Sequence, residues 1–384
     1  MEINQPLTLL GGLTAAQFMQ RPWQKKPLLV RQAVPAIVPP LDRSALFALA
    51  DREDVESRLI RQGPSGWVLR HGPLSRRSLP PLRQPGWTML VQGVDLHDAR
   101  AHALLQQFRF LPDARLDDLM ISYASDTGGV GAHFDSYDVF LLQAQGRRQW
   151  SIGRQRDLSL QPGVPLKVLQ HFEPEETFVL EAGDMLYLPP RYAHDGVAVG
   201  DDCMTCSIGL RAPAAAGLGA DLLARIAEAH AEMQEDGQGG PPVHYRDPRQ
   251  AAVDAPAAMP AELQRFARDA VAAALRDADA IDRALGESMT EPKANVWFEP
   301  GKVPESIDGV LLDRRTRMLY DDRHIYINGE SFRAGGRDAK LMRKLADQRS
   351  LDARDLRGAS EDAVALMEDW CVAGWAHVAS PFSG

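Results

Sequence analysis

Cysteine is scarce in this chain, with three in 384 residues. Three thiols cannot build a disulfide framework, which excludes a stapled secreted scaffold and suits a reducing, cytoplasmic setting. Cys203 and Cys206 have CxxC spacing, but no second such pair accompanies them. They also lie in a stretch that reads as a strand, where positions three apart face opposite sides, so they read as packing residues rather than zinc ligands. Long apolar runs are missing as well. No stretch approaches the length that spans a bilayer, and Met1-Glu2-Ile3-Asn4-Gln5 is no signal peptide, so no membrane association is expected. Positive charge is not in excess. Lys and Arg number 43 against 52 Asp and Glu, a net charge of −9. That argues against direct nucleic-acid binding and suits a basic protein partner. Beyond an alanine bias there is no low-complexity tract, and no internal repeat.

What is present is ordinary globular composition, 45% hydrophobic and 25% charged, in a chain long enough for two or three domains. Residues 9–20 predict a short helix capped at Thr14, and residues 44–51 and 98–109 two more. Short apolar stretches follow one another: 28–30, 67–70, 87–94, 118–123, 139–143, 146–153, 176–180, 184–188 and 204–210. Many short strands with glycine and proline turns predict a mainly β domain, a double-stranded β-helix of the cupin-like jelly-roll type, over residues 1–213. Residues 214–290 change character. Leu218, Leu222, Leu223, Ile226 and Met233 repeat at helical spacing, a glycine- and proline-rich loop runs from Gly237 to Pro242, and Leu263, Phe266, Ala270, Ala274, Ile281 and Leu285 mark a second helical region. Residues 291–384 mix strands at 310–313 and 324–327, an Asn328-Gly329 hairpin turn, and helices at 338–347 and 361–373. This pattern resembles a small winged-helix domain. Its 14 Lys and Arg against 16 Asp and Glu favour protein packing over DNA reading.

The chemistry centres on Gly131-Ala132-His133-Phe134-Asp135-Ser136-Tyr137-Asp138, the end of a glycine loop running into a predicted strand. Residues two apart on a strand share a side, so His133 and Asp135 would project into one space. A matching histidine, His194, follows the proline turn Pro189-Pro190. Two histidines and one carboxylate are the facial triad of non-haem Fe(II) oxygenases. His-x-(Asp/Glu) also occurs at His171 and His230. His230 lies in a helical stretch, where positions two apart diverge, and His171 in a polar loop. The same residues also suit a cupin-like barrel without metal, and spacing alone leaves both readings open.

Six segments together carry a family resemblance. They are Trp23-Gln24-Lys25-Lys26-Pro27, Asp117 to Ser122, Gly131 to Phe140, Gly146-Arg147-Arg148-Gln149-Trp150, Pro189-Pro190 with His194, and Ser207 to Pro213. The chain resembles the bacterial ribosomal oxygenases of the JmjC family, which are Fe(II)- and 2-oxoglutarate-dependent protein hydroxylases. The resemblance is strong over the first 213 residues and looser beyond. It implies Fe(II) held by His133, Asp135 and His194, with 2-oxoglutarate and O2 as cosubstrates. Arg148, fifteen positions after His133, stands where the family holds the distal carboxylate of 2-oxoglutarate. Strand alternation puts Arg148 and Trp150 on one side and Arg147 on the other. Thr205 and Ser207 would line the cosubstrate pocket from the last strand.

Asp118, Met120 and Ser122 alternate onto one strand face. In arginine-hydroxylating relatives the position of Asp118 contacts the target guanidinium, with Met120 and Tyr137 flanking its stem. The plainer alternative is an exposed strand end where Asp118 caps a turn. The resemblance implies a cytoplasmic homodimer, paired through residues 214–290, that hydroxylates an arginine of a large-subunit ribosomal protein, the sixteenth. A histidyl hydroxylase or lysine demethylase on the same barrel, and a non-enzymatic cupin-like binding protein, are the alternatives.

Overall fold

The computed structural model describes residues 3–63, 66–235, 241, 243–277 and 279–379. The loop expected from Gly237 to Pro242 lies, except for Pro241, outside the described residues. The chain divides into two compact units, residues 1–212 and 213–384.

The first unit carries the helices α1 (Ala15–Gln20), α2 (Arg43–Ala50) and α3 (Ala99–Gln106). Its strands are β1 (Leu28–Val30), β2 (Ser57–Gly63), β3 (Gly66–His71), β4 (Trp87–Val91), β5 (Leu116–Ala124), β6 (Val139–Gln145), β7 (Arg147–Gly153), β8 (Glu176–Glu181), β9 (Met185–Leu188), β10 (Ala193–Ala198) and β11 (Cys203–Leu210). They form a large sheet in the order β1-β9-β6-β11-β5-β4-β2-β3 and a small one in the order β10-β7-β8. All neighbours run antiparallel.

Side-chain alternation sorts the large sheet into two faces. Leu119, Ile121, Tyr123, Phe140, Leu142, Tyr187, Cys206 and Ile208 are buried in one cluster with Phe18, Leu46, Phe47, Leu104 and Leu105 from the helices. The opposite face packs on the small sheet, with Val139, Leu141, Leu186 and Leu188 against Trp150, Ile152 and Leu180. The result is a two-layered jelly roll whose inner space is bounded by both sheets. Cys206 lies in the outer core, and Cys203 in a separate cluster with Ala124 and Ala198, as their spacing on a strand requires.

In the second unit, α4 (Ala215–Glu235), α5 (Ala261–Ala274) and α6 (Ala280–Thr290) precede strands β12 (Val310–Leu312), β13 (Met318–Tyr320), β14 (His324–Ile327) and β15 (Glu330–Arg333). Then come α7 (Gly336–Gln348), β16 (Ser350–Leu351), α8 (Ala353–Leu356), α9 (Glu361–Val372) and β17 (Ala376–Val378). Two three-stranded sheets, β16-β12-β17 and β13-β14-β15, share a core with α7 and α9 around Leu345, Met367 and Trp370. Asn328 and Gly329, both at positive φ, make the two-residue turn between Ile327 and Glu330. In the helical part, Ile226 is buried on α4 against Ala280 and Ala284 of α6, with Leu222 beside it. Leu223, Ile281 and Leu285 stay exposed.

Several expected elements are shorter than their apolar patterns. The helix over 9–20 is a turn at Thr8–Leu10 followed by α1, because Gly11 and Gly12 take positive φ between them. Thr14 does cap α1, in a reciprocal pair with Gln17. The helix over 98–109 is α3, capped by Asp98, and Phe108 is buried beyond its end. The second helical region breaks into α5 and α6. Strand β2 escaped notice because two arginines interrupt its apolar pattern.

The Trp23-Gln24 segment owes its place to a buried carboxylate. Asp138, fully buried, accepts from Tyr187 Oη (2.6 Å), Gln24 Nε2 (2.9 Å) and Arg115 Nη2 (3.3 Å). Tyr187 in turn accepts from the Gln24 backbone N–H (2.8 Å), and Trp23 stacks on its ring. Asp138→Ala strands these donors and should destabilise the chain by about 3 kcal/mol in urea unfolding. Tyr187→Phe removes one donor and should cost about 1 kcal/mol. An equal or inverted ranking would contradict this arrangement.

Candidate metal centre

The strand expected through His133 is absent, and a single antiparallel bridge to His194 takes its place. His133 N donates to His194 O (2.9 Å), and His194 N donates to His133 O (2.8 Å). The glycine entry explains the departure from strand geometry. Gly131 has φ 83°, and a Cβ there would meet the Trp67 ring at 2.9 Å and Val168 methyls at 3.1 Å. Only glycine fits. Asp135 is tied to the proline turn, its carbonyl accepting from Arg191 N at 2.7 Å.

These backbone ties bring three side chains together. One ligand atom each from His133, Asp135 and His194 lies within 4.8 Å of the others. His194 Nε2 is 3.7 Å from Asp135 Oδ2, and the two imidazole centroids are 4.2 Å apart. Each imidazole is oriented by a carbonyl, His133 Nδ1 on Gly131 O and His194 Nδ1 on Tyr192 O, both at 2.9 Å. A carbonyl only accepts, so each Nδ1 carries a proton, which leaves Nε2 of the neutral ring as the ligating atom. Burial, then neighbouring His133, lowers the His194 pKa and keeps this imidazole in the neutral, ligating form. Two imidazoles and a carboxylate whose ligand atoms lie this close together are the donor set for Fe(II) with open coordination positions.

Arg148, on β7, is 3% exposed and sits on the same sheet face as Trp150, whereas Arg147 is exposed. Its Nε and Nη2 are buried without a hydrogen-bond partner. An uncompensated buried guanidinium costs several kcal/mol, so these orphaned donors fit an anionic group arriving from outside the chain. Ala198 and Gly196, from β10, lie opposite Arg148 and Trp150. A Cβ at Gly196 would fall 2.5 Å from the Trp150 ring, so glycine lets that ring close the floor. Asp195 was not anticipated. Its Oδ1 is buried without a partner, and burial raises its pKa against the opposing pull of His133 and Arg148.

Residues 103–218 match the JmjC domain, and residues 273–377 match the ROXA-like winged helix. The chain is 31% identical over 361 residues to the ribosomal protein uL16 3-hydroxylase of Escherichia coli K12, covering 90% of this chain and 92% of that one. It is 30% identical to a probable ribosomal oxygenase of Haemophilus influenzae, over 95% and 96% of the two chains. The solved structure of Escherichia coli YcfD, a ribosomal oxygenase in complex with cobalt and 2-oxoglutarate, aligns with a TM-score of 0.77 and 28% identity. That alignment spans 95% of this chain and 98% of the other. The chain belongs to the JmjC-domain ribosomal oxygenases. It is a 2-oxoglutarate-dependent oxygenase whose cofactor is Fe(II) and whose cosubstrates are 2-oxoglutarate and O2.

Of the remaining expected site residues, Asp118, Met120, Thr205 and Ser207 lie on the inner face of the large sheet, and Tyr137 lies in the loop before β6. Asp118, Met120 and Ser122 of β5 pair with Gly209, Ser207 and Thr205 of β11. Asp118 is 2% exposed, so it does not lie at an exposed strand end. Its Oδ2 accepts from Gln92 Nε2 (2.7 Å) and Gly93 N (3.0 Å). Met120 is half-buried. Thr205 Oγ1 donates to Gln143 Oε1 (2.9 Å), and Ser207 is buried two positions along. Tyr137 is 38% exposed. Desolvation, then Asp135 and Asp118, raises its phenol pKa, while Arg58 pulls it down. Its hydroxyl therefore stays protonated. Gln92, Gly93 and Arg58 had no sequence signal of their own. Gln92 and Gly93 passed as the end of an apolar strand.

His133→Ala and Asp135→Ala should each abolish Fe(II) binding measured by calorimetry under anaerobic conditions, because two ligands define no geometry. Undiminished metal affinity in either variant would remove the triad. Arg148→Ala should weaken 2-oxoglutarate binding by about 2–5 kcal/mol, and Arg147→Ala by almost nothing. A larger loss in Arg147→Ala would mean the inner face of β7 is assigned one residue out.

Proposed function

We propose that this chain hydroxylates an arginine side chain of a large-subunit ribosomal protein, the sixteenth; the Escherichia coli relative is named a ribosomal protein uL16 3-hydroxylase. The observation that carries the arginine reading is the buried carboxylate of Asp118, on the inner face of β5 opposite Gly209 of β11. A buried carboxylate is costly unless a cation meets it, and a planar guanidinium meets it with two hydrogen bonds. A neutral imidazole offers no such paired match, which sets the histidyl reading behind.

Bound Fe(II), with 2-oxoglutarate and dioxygen, supplies the oxidising power for inserting one oxygen atom into a substrate C–H bond, releasing succinate and CO2. The chain's own residues take the following parts. His133, Asp135 and His194 hold the metal. Arg148 grips the distal carboxylate of 2-oxoglutarate, with Thr205 and Ser207 lining the same pocket. Asp118 clamps the substrate guanidinium, and Met120 and Tyr137 flank its aliphatic stem, fixing which carbon faces the metal.

The three-part division at 213/214 and 290/291 belongs to this proposal, with α4–α6 as the dimerisation region of a homodimer. Leu223, Ile281 and Leu285 are exposed there and give a second copy an apolar surface, whereas Leu222 and Ile226 pack within the chain. Among the described residues no helix is long and apolar enough to cross a membrane. A cytoplasmic site of action accords with a ribosomal substrate. The winged helix, with its balanced charge, packs on protein rather than nucleic acid.

The substrate reading is tested on matched peptides with arginine, lysine or histidine at the target position, scored by mass for one added oxygen. Wild type should prefer arginine. Asp118→Ala should lose at least about 2 kcal/mol of kcat/KM on that peptide while keeping metal and 2-oxoglutarate affinity, and Asp118→Asn should do nearly as badly. A wild-type preference for histidine, or full arginine activity in Asp118→Ala, would return Asp118 to a structural role.

A further inference from the structure

The net charge of −9 hides a strong local asymmetry. Residues 57–94 hold six arginines and no Lys, Asp or Glu. With those six set aside, 37 Lys and Arg remain against 52 Asp and Glu. Arg58 is half-buried and donates to Gln92 Oε1 (3.2 Å). The other five, Arg61, Arg70, Arg76, Arg77 and Arg83, are exposed, and among the described residues none has a carboxylate partner. A solvated face that serves solubility alone mixes both signs, and this one does not.

The fold gathers these arginines. Arg61 of β2 pairs with Val68 of β3, and Leu59 with Arg70. Residues two apart on a strand share a side, so Arg61 and Arg70 lie on the face of Leu59. Leu59 belongs to the core under the helices, so this is the outer face of the large sheet, away from the metal. Arg61 and Arg70 line a pocket of about 250 Å³ with Ser78, Pro80, Pro81 and Gln84. Arg76 and Arg77 make the turn that ends at Ser78, and Arg83 precedes Gln84. Two contacts tie the walls down: Arg70 Nη1 donates to Ser78 O (3.4 Å), and Arg76 lies 5.5 Å over the Phe47 ring. Strand β3 is the last of its sheet, so among the described residues no further strand flanks this surface.

We infer that this outer edge, β2–β3 with the turns at 76–84, docks the phosphate backbone of an RNA strand. Arg61 and Arg70 take phosphates at the pocket, and Arg77 and Arg83 flank it. The chemistry favours phosphate because every lysine or arginine of the segment is an arginine, whose planar fork grips a phosphate with two hydrogen bonds. The acidic remainder of the chain repels a polyanion everywhere else, which confines it to this edge. The choice of RNA over an acidic protein rests on the ribosomal substrate proposed above, which the enzyme meets beside RNA. Overall charge argued against nucleic acid, and the segregation of that charge reverses the expectation.

The test uses the full-length enzyme and a fluorescein-labelled oligouridine RNA of about 20 nucleotides, longer than a typical single-strand site, read by anisotropy. Wild type should bind it at about 50 mM salt, with log affinity falling against log salt at a slope of about −3. Arg61→Ala with Arg70→Ala should weaken binding about tenfold or more and flatten the slope by about 1, with 2-oxoglutarate affinity unchanged. Arg265→Ala with Arg268→Ala, the same charge loss on exposed positions of α5, should leave RNA affinity within about twofold of wild type. If the first pair loses 2-oxoglutarate affinity, Arg77→Ala with Arg83→Ala makes the same comparison. No binding at low salt, a flat salt dependence, wild-type affinity in the edge variants, an equal loss in the α5 variant, or displacement of the RNA by polyglutamate of matched charge each overturns the inference. Failure of the ribosomal reading is seen elsewhere, as ribosomal proteins unchanged in mass by this gene, while the RNA affinities still decide the docking surface.

Discussion

Everything functional in the barrel depends on one pair of backbone hydrogen bonds, exchanged between His133 and His194. His194 is also paired with Ile152 in the β10–β7 ladder, whereas His133 lies outside the named strands. His133 belongs to a loop and His194 to the start of β10, and the bridge holds them in register. The loop reaches the bridge only because Gly131 turns at positive φ in a space that Trp67 and Val168 deny to any side chain. Carbonyls inside the same two segments then fix each imidazole by its Nδ1. The protein thus aims its ligands mostly with main-chain groups, which cannot swing between rotamers as a side-chain brace can.

Around this pair, the inner and outer faces of the large sheet follow different rules. The outer face is an apolar core under helices, broken by the Asp138 node that anchors Trp23 and Gln24. The inner face, which should be equally apolar if it served packing alone, buries Asp118, Gln143 and Thr205, and the small sheet adds Arg148 and His194. Polar groups at core positions cost stability, so a sheet that alternates apolar and polar faces with both faces covered departs from local consistency at its functional site. That departure is the physical signature of the site. It also ties three subsites to one strand system: the metal at the bridge, Arg148 on the small sheet, and Asp118 on the large one.

Much of this was legible in the sequence. Period-two alternation separated Arg148 and Trp150 from Arg147, the resemblance made Arg148 the inner one, and the same alternation set Cys203 and Cys206 on opposite faces. The motif spacing selected His133 over His171 and His230. His171 lies in an exposed loop and His230 on α4. Less legible was anything set by long-range pairing. The sequence pattern suggested a strand through His133, whereas the convergence with Asp135 comes from a bridge to a segment far along the chain. Strand β2 was hidden because its arginines look solvent-facing until the sheet turns Arg58 inward. Gln92 and Gly93 passed as the end of a strand, since nothing local says that a buried carboxylate from β5 waits for their N–H groups. Leu222 and Ile226 carry the same apolar signal as Leu223, and only the packing of α4 on α6 separates buried from exposed.

The central claim is that a metal triad and a buried carboxylate act together on one arginine of a ribosomal protein. It is tested most directly by intact-mass measurement of every ribosomal protein from cells with and without this gene, followed by fragmentation of any species that shifts. The account predicts that one large-subunit protein gains the mass of a single oxygen atom only when the gene is present, and that fragmentation places it on an arginine. Identical masses in the two strains, or an added oxygen on histidine, would contradict it.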